Sequence, residues 1–131
     1  THFIFDLIKK IVAGKLRHEP VVLWGTGDQV RELVYIDDAV KLMELAGERD
    51  DLEILNLASG SGYSIREYAE MICEIVGFDA ASIIYDTSKF SGVPKKVLST
   101  RRIEKLFDFQ FTDITEGLRR TIDYYLKTAF S

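Results

Sequence analysis

Apolar residues first recur at helical spacing: Ile4, Leu7, Ile8, Ile11 and Val12 share one face of a 3.6-residue repeat, and Gly14 follows as the expected stop. The pattern then breaks into short apolar runs. "VVLW" and "ELVYI" read as two strands around Gly25-Thr26-Gly27, a hairpin signal. Asp37 or Asp38 is placed to cap a helix whose apolar side is Ala39, Leu42, Met43 and Ala46, and Gly47 ends it.

"EILNLAS" reads as the next strand and "GSGYS" as a glycine-rich loop. Ser64 and Glu67 then form an S-x-x-E capping box, in which each residue satisfies a backbone N–H of the other. The helix behind it carries Ile65, Tyr68, Ala69, Ile72, Cys73 and Val76 on one face, with Gly77 where a left-handed cap is wanted. "SIIYD" follows as a strand, so strand, helix and strand predict a right-handed crossover with parallel strands. Residues 87–96 are polar and irregular, "RRIEKLF" is a short helix, and a last helix opens near Thr112-Asp113 to bury Ile114, Leu118, Ile122 and Tyr125. The fold class expected is α/β: a small one-domain layer structure of a short hairpin, a strand–helix–strand unit and flanking helices.

Composition narrows the class of function. At 131 residues, 47% hydrophobic and 29% charged, the chain supports one core and no disordered tail. A net charge of -4 argues against a broad grip on nucleic acid, even with Lys95, Lys96, Arg101 and Arg102 clustered. Cys73 is the single cysteine, on an apolar helix face, and reads as a buried structural thiol. His2 and His18 have no metal-ligand spacing with it, so no metal site is expected. No apolar run approaches the ~18 residues of a membrane span and no signal peptide is visible, which makes cytoplasmic the default location. The chain enters a helix within a few residues, as a piece of a longer protein would.

Two glycine stretches invite a phosphate-loop reading. A dinucleotide fingerprint needs G-x-G-x-x-G between a strand and a helix, so that the pyrophosphate meets the helix N-terminus. After Gly25 and Gly27 the sixth position is Val30, and a strand follows; after Gly60 and Gly62 it is Ile65. Neither is expected to bind a cofactor. Tyr85 and Lys89 match the Tyr-x-x-x-Lys acid–base pair of short-chain dehydrogenases, but that pair needs a helix, and here a strand runs into a loop. Arg31 is then the residue of interest: just past a tight turn, its guanidinium is set to meet a diphosphate with two parallel hydrogen bonds. An Arg31 paired with Glu32, or simply solvated, is the alternative that spacing leaves open, and Trp24 reads equally as core.

"WGTGDQVRELVYIDDAV" resembles a segment of the extended short-chain dehydrogenase/reductases that act on nucleotide sugars, the NAD-dependent epimerase/dehydratase family. "LNLASGSGYSIREYAEMICEIVGF", "YDTSKFSGVPKKVLSTRRIEKL" and "ITEGLRRTIDYYL" follow in the family's order, so the likeness spans about residues 1–127. Its GDP-L-fucose synthase branch is the most similar.

The resemblance implies that residues 1–131 are a C-terminal sugar-nucleotide-binding domain. The Rossmann half, with the glycine-rich cofactor turn and the catalytic residues, would belong to an N-terminal part absent from this chain. NADP or NAD would bind in the parent enzyme, and this chain alone would hold no cofactor and no catalytic residue. The implied partners are a nucleotide-diphosphate sugar, the Rossmann domain and a second copy in a homodimer, with neither nucleic acid nor membrane among them.

For the site, the resemblance implies that Trp24 and Arg31 line the sugar-nucleotide pocket, and that residues 89–96 close over it through Lys89, Ser91 and Lys96. Ser91 stands where the family loop carries Asp, which leaves base and sugar open. Two alternatives stay beside this reading: the lobe of another nucleotide-sugar epimerase or dehydratase, and a stand-alone, non-catalytic binding module.

Overall fold

The computed structural model describes residues 2–51, 54–90 and 92–130. Three helices hold the core: α1 (Phe3–Arg17), α3 (Ile65–Val76) and α5 (Ile114–Ala129). Leu7, Ile8, Ile11 and Val12 of α1 meet Tyr68, Ala69, Ile72 and Cys73 of α3, and Leu118 and Ile122 of α5 close the cluster. Each large side chain buried there contributes about 1.5–3 kcal/mol. The remaining helices are α2 (Ile36–Gly47) and the short α4 (Arg101–Leu106).

The α3 boundaries are those the sequence predicts. Ser64 Oγ accepts from Glu67 N at 3.0 Å while Ser64 N donates to Glu67 Oε2 at 2.6 Å, and Gly77 adopts φ 81°. α1 differs. It runs through Gly14 to Arg17, because Gly14 is a packing contact rather than a stop: a Cβ there would stand 2.5 Å from Val21 Cγ2. α2 begins at Ile36 with Tyr35 as N-cap, so neither Asp37 nor Asp38 caps it. Buried Asp38 instead accepts from Thr112 N at 2.8 Å and Thr112 Oγ1 at 2.9 Å, tying the first turn of α2 to the approach of α5.

Among the described residues, five short strands form two sheets rather than a hairpin. β1 (Val22–Trp24) pairs in parallel with β4 (Ile84–Asp86). In the second sheet β2 (Val30–Glu32) is central, antiparallel to β3 (Gly62–Ser64) and parallel to β5 (Lys95–Lys96). The expected pairing of β1 with β2 is therefore corrected. The start of α3 takes the carbonyls of the intervening turn: Arg66 N donates to Gly27 O (2.9 Å), Arg66 Nη2 to Thr26 O (2.7 Å) and Ile65 N to Gln29 O (3.0 Å). Gly25 and Gly27, at φ 85° and 81°, let the chain step from one sheet to the other.

The predicted strand at "EILNLAS" is also absent over the described residues 54–59; Leu52 and Glu53 lie outside them. Its polar side chains make cross-links instead, Ser59 Oγ donating to Leu33 O (3.3 Å) and Asn56 Nδ2 to Ser99 O (3.4 Å). The expected loop "GSGYS" supplies β3, and the expected irregular stretch supplies β5. The strands flanking α3 thus belong to different sheets, and the parallel partner of β4 is β1. No helix among the described residues is long and apolar enough to cross a membrane.

Candidate functional site

A cleft of about 290 Å³ opens where the two sheets meet the first turns of α1. β1 supplies Leu23 and Trp24, and β2 with its preceding turn supplies Gln29 and Arg31. α1 contributes Phe3, Asp6, Leu7 and Lys10, which fall at i, i+3, i+4 and i+7 on one helical face. Ile65 and Phe90 complete the lining.

Arg31 faces this cleft and makes no ion pair among the described residues. Its Nη1 donates to Val30 O at 2.8 Å. The loop ahead of β5 runs close to it, since a Cβ on Gly92 would lie 3.4 Å from Arg31 Nη2. Pairing of Arg31 with Glu32 is ruled out by strand alternation, which sends neighbours to opposite faces. Glu32 Oε2 accepts from Gly60 N at 2.6 Å and Oε1 from Leu98 N at 3.3 Å, so its carboxylate clamps two loops to β2. The backbone is fixed from the core side as well, where the Tyr68 hydroxyl donates to Arg31 O at 2.9 Å. Burial raises the Tyr68 phenol above its ordinary range, so it stays a donor at any physiological pH.

Trp24 and Arg31, which the resemblance places together, both line this one cleft. Lys96 stands opposite Arg31 in the parallel β2–β5 register, exposed and outside the lining. Lys89 is exposed beside the lining residue Phe90 but does not itself line the cleft. Ser91 lies outside the described residues. Gln29, Phe90, Asp6 and Lys10 are additions that the sequence reading missed. The helical spacing of Asp6 and Lys10 was visible, but mixed polarity hid the face. Gln29 and Phe90 carried no local signal.

Tyr85 and Lys89 form no acid–base pair. The Arg66 guanidinium lies 3.9 Å from the centroid of the Tyr85 ring, and a Cβ on Gly27 would meet that ring at 2.6 Å. Tyr85 is a platform for the turn. Burial raises its phenol while Arg66 opposes the rise. A larger hollow of about 510 Å³ is lined by His2, Tyr35, Asp38, Tyr63, Phe111 and Leu118 among others. It exceeds the first in volume, yet no Lys or Arg lines it and Asp38 is already engaged by Thr112. For an anionic ligand the smaller, cationic cleft is the better candidate.

Comparison with known proteins places the chain. The model of the NAD dependent epimerase/dehydratase family matches residues 1–58, a span that includes Trp24, Gln29 and Arg31. Probable GDP-L-fucose synthase 1 of Oryza sativa subsp. japonica is 32% identical over 133 residues, covering 100% of this chain and 40% of the relative. GDP-L-fucose synthase of Escherichia coli (strain K12) is 30% identical, covering 97% of this chain and 43% of its own length. Among solved structures, a GDP-L-fucose synthetase from Naegleria fowleri superposes with TM-score 0.86 at 23% identity, over 98% of this chain and 40% of its own. A UDP-glucose 4-epimerase from Thermotoga maritima, solved with UDP-glucose, gives 0.82 at 27% identity, over 98% and 40%. The chain spans about 40% of the length of these relatives. By these matches the chain belongs to the NAD dependent epimerase/dehydratase family.

Proposed function

We propose that this chain is the C-terminal, sugar-nucleotide-binding lobe of an epimerase/reductase of the GDP-L-fucose synthase kind, and that its cleft grips the diphosphate of the substrate through Arg31. The observation that carries the reading is Arg31 itself: a guanidinium facing a cleft, held from behind by Tyr68 and Glu32's strand ties, in no ion pair among the described residues, with Lys10 offsetting Asp6 in the same lining. Trp24 gives the same cleft an apolar wall for a sugar or base, and Lys96 adds positive charge at the rim. Binding energy spent on orienting the sugar is this lobe's part in catalysis.

The nicotinamide cofactor of such enzymes supplies hydride transfer, and this chain's residues do not fit it. Gly25-x-Gly27 leads into β2 rather than a helix, and its Gly27 carbonyl is bonded by Arg66 N. The Gly60-x-Gly62 stretch does reach α3, but Ser64 occupies the helix's Glu67 N–H, and a Cβ on Gly62 would meet Val97 Cγ2 at 2.6 Å and Val30 Cγ1 at 2.7 Å. NADP or NAD therefore belongs, on this reading, to a Rossmann domain in the rest of the parent. The same reading carries a cytoplasmic location and a homodimeric parent.

The test is Arg31→Ala in the full-length enzyme, with nucleotide-sugar affinity measured by calorimetry. A charged hydrogen bond is worth about 1.5–3 kcal/mol, so affinity falls about tenfold or more. Unchanged affinity removes Arg31 from the site. A second reading, the lobe of a UDP- or dTDP-sugar epimerase or dehydratase, is favoured by the likeness to the Thermotoga maritima enzyme. A calorimetric series of GDP, UDP, CDP and dTDP sugars decides between them: preference for guanine keeps the first reading, and preference for a pyrimidine selects the second.

A further inference from the structure

We infer that Phe90 is the platform on which the base of the bound nucleotide stacks, an inference that rests on the diphosphate reading of the same cleft. Phe90 is 87% exposed, more than any other large apolar side chain among the described residues, and it still lines the cleft that holds Trp24 and Arg31. A benzyl ring kept in water forfeits the gain of burial, and a planar ring laid on it restores that gain. Position along the loop sets the order of the contacts. Phe90 lies two residues before Gly92, where a Cβ would stand 3.4 Å from Arg31 Nη2. Two residues span at most about 7 Å, comparable to the ribose that separates a base from its phosphates. With phosphates at Arg31, a base one ribose away lies within reach of Phe90. Trp24 stands on β1, in the other sheet, and remains for the far end of the ligand. Every base has a π-face, so the stack supplies affinity without choosing among bases. Base choice then rests on polar groups of the rim.

The experiment titrates the full-length enzyme by calorimetry with GDP, UDP and inorganic pyrophosphate. Phe90→Ala is expected to weaken GDP and UDP about tenfold while leaving pyrophosphate within about twofold, and Phe90→Tyr is expected to restore both nucleotides. Arg31→Ala weakens all three. An unchanged melting temperature of the Phe90→Ala enzyme shows that its fold is kept. Nucleotide affinities within about twofold of wild type for Phe90→Ala overturn the inference, as does an equal loss for pyrophosphate. If Phe90→Ala instead changes only the oligomeric state, the ring is a protein contact and the inference falls while the diphosphate reading stands. Loss of the Arg31→Ala effect, or a wild-type enzyme that binds none of the three, defeats the diphosphate reading itself, and the inference with it.

Discussion

Glu32→Ala isolates the clamp that holds the arginine strand. The carboxylate accepts from Gly60 N at 2.6 Å and from Leu98 N at 3.3 Å, joining two loops that no ladder hydrogen bond connects. Hydrogen bonds to a charged group are worth about 1.5–3 kcal/mol each. The shorter contact lies inside that range and the longer one below it. Both loops are open to water, which replaces part of what is lost, so the net cost is about 2 kcal/mol. For a domain of this size each kcal/mol shifts the melting temperature by roughly 3–6 °C, which gives a fall of roughly 6–12 °C by scanning calorimetry. Glu32→Gln keeps one carbonyl oxygen but turns an amide N–H₂ toward the second donor, so it should lose about half as much. Nucleotide affinity should fall less than for Arg31→Ala, because Tyr68 still holds Arg31 O. A melting temperature within about 2 °C of wild type for Glu32→Ala, or Gln as harmful as Ala, refutes the clamp.

Two further predictions concern the core side. Asp38→Asn keeps an acceptor for Thr112 N and offers a donor to the Thr112 hydroxyl, which can reverse its role, so it should cost under about 1 kcal/mol in urea denaturation. Asp38→Ala strands both groups and should cost about 2–4 kcal/mol; equal effects of the two changes would show that the hydrogen bonds are not what matters. Burial, helped by the nearby Asp79 and Glu70 charges, pushes the Cys73 thiol up to about 11 from its ordinary 9.0. Between those values the unfolded chain releases a proton that the folded chain keeps, so stability is intact below pH 9 and declines as pH rises toward 11. Cys73 should resist a thiol reagent at pH 8 until denaturant is added; stoichiometric labelling of the native protein would contradict its burial.

What could be read in advance was local. The Ser64–Glu67 box and the Gly77 cap are decided within a turn of helix, and both stand as expected. The hairpin failed because the fate of the turn carbonyls depends on Arg66, 40 residues from Thr26, which no window around Gly25 contains. Gly14 misled for the same reason: its meaning comes from Val21 packing against it, not from the helix it was thought to end. In the cleft, Trp24 and Arg31 were legible because family resemblance singled them out. Lys89, in the loop, and Lys96, on β5, lie beside the lining rather than in it. Phe90 and Gln29 acquire their role only when the two sheets and α1 converge, a juxtaposition that sequence spacing does not encode.

The change of sheets between β1 and β2 has a mechanical consequence. Trp24 and Arg31 line one cleft from two different sheets, so no β-ladder joins the strands that carry them. Arg66, bonded to Thr26 O and lying on Tyr85, ties the turn between those strands to α3. Substitutions at residues 26, 66 or 85, none of which lines the cleft, would therefore alter the spacing of Trp24 and Arg31 while leaving both side chains chemically untouched.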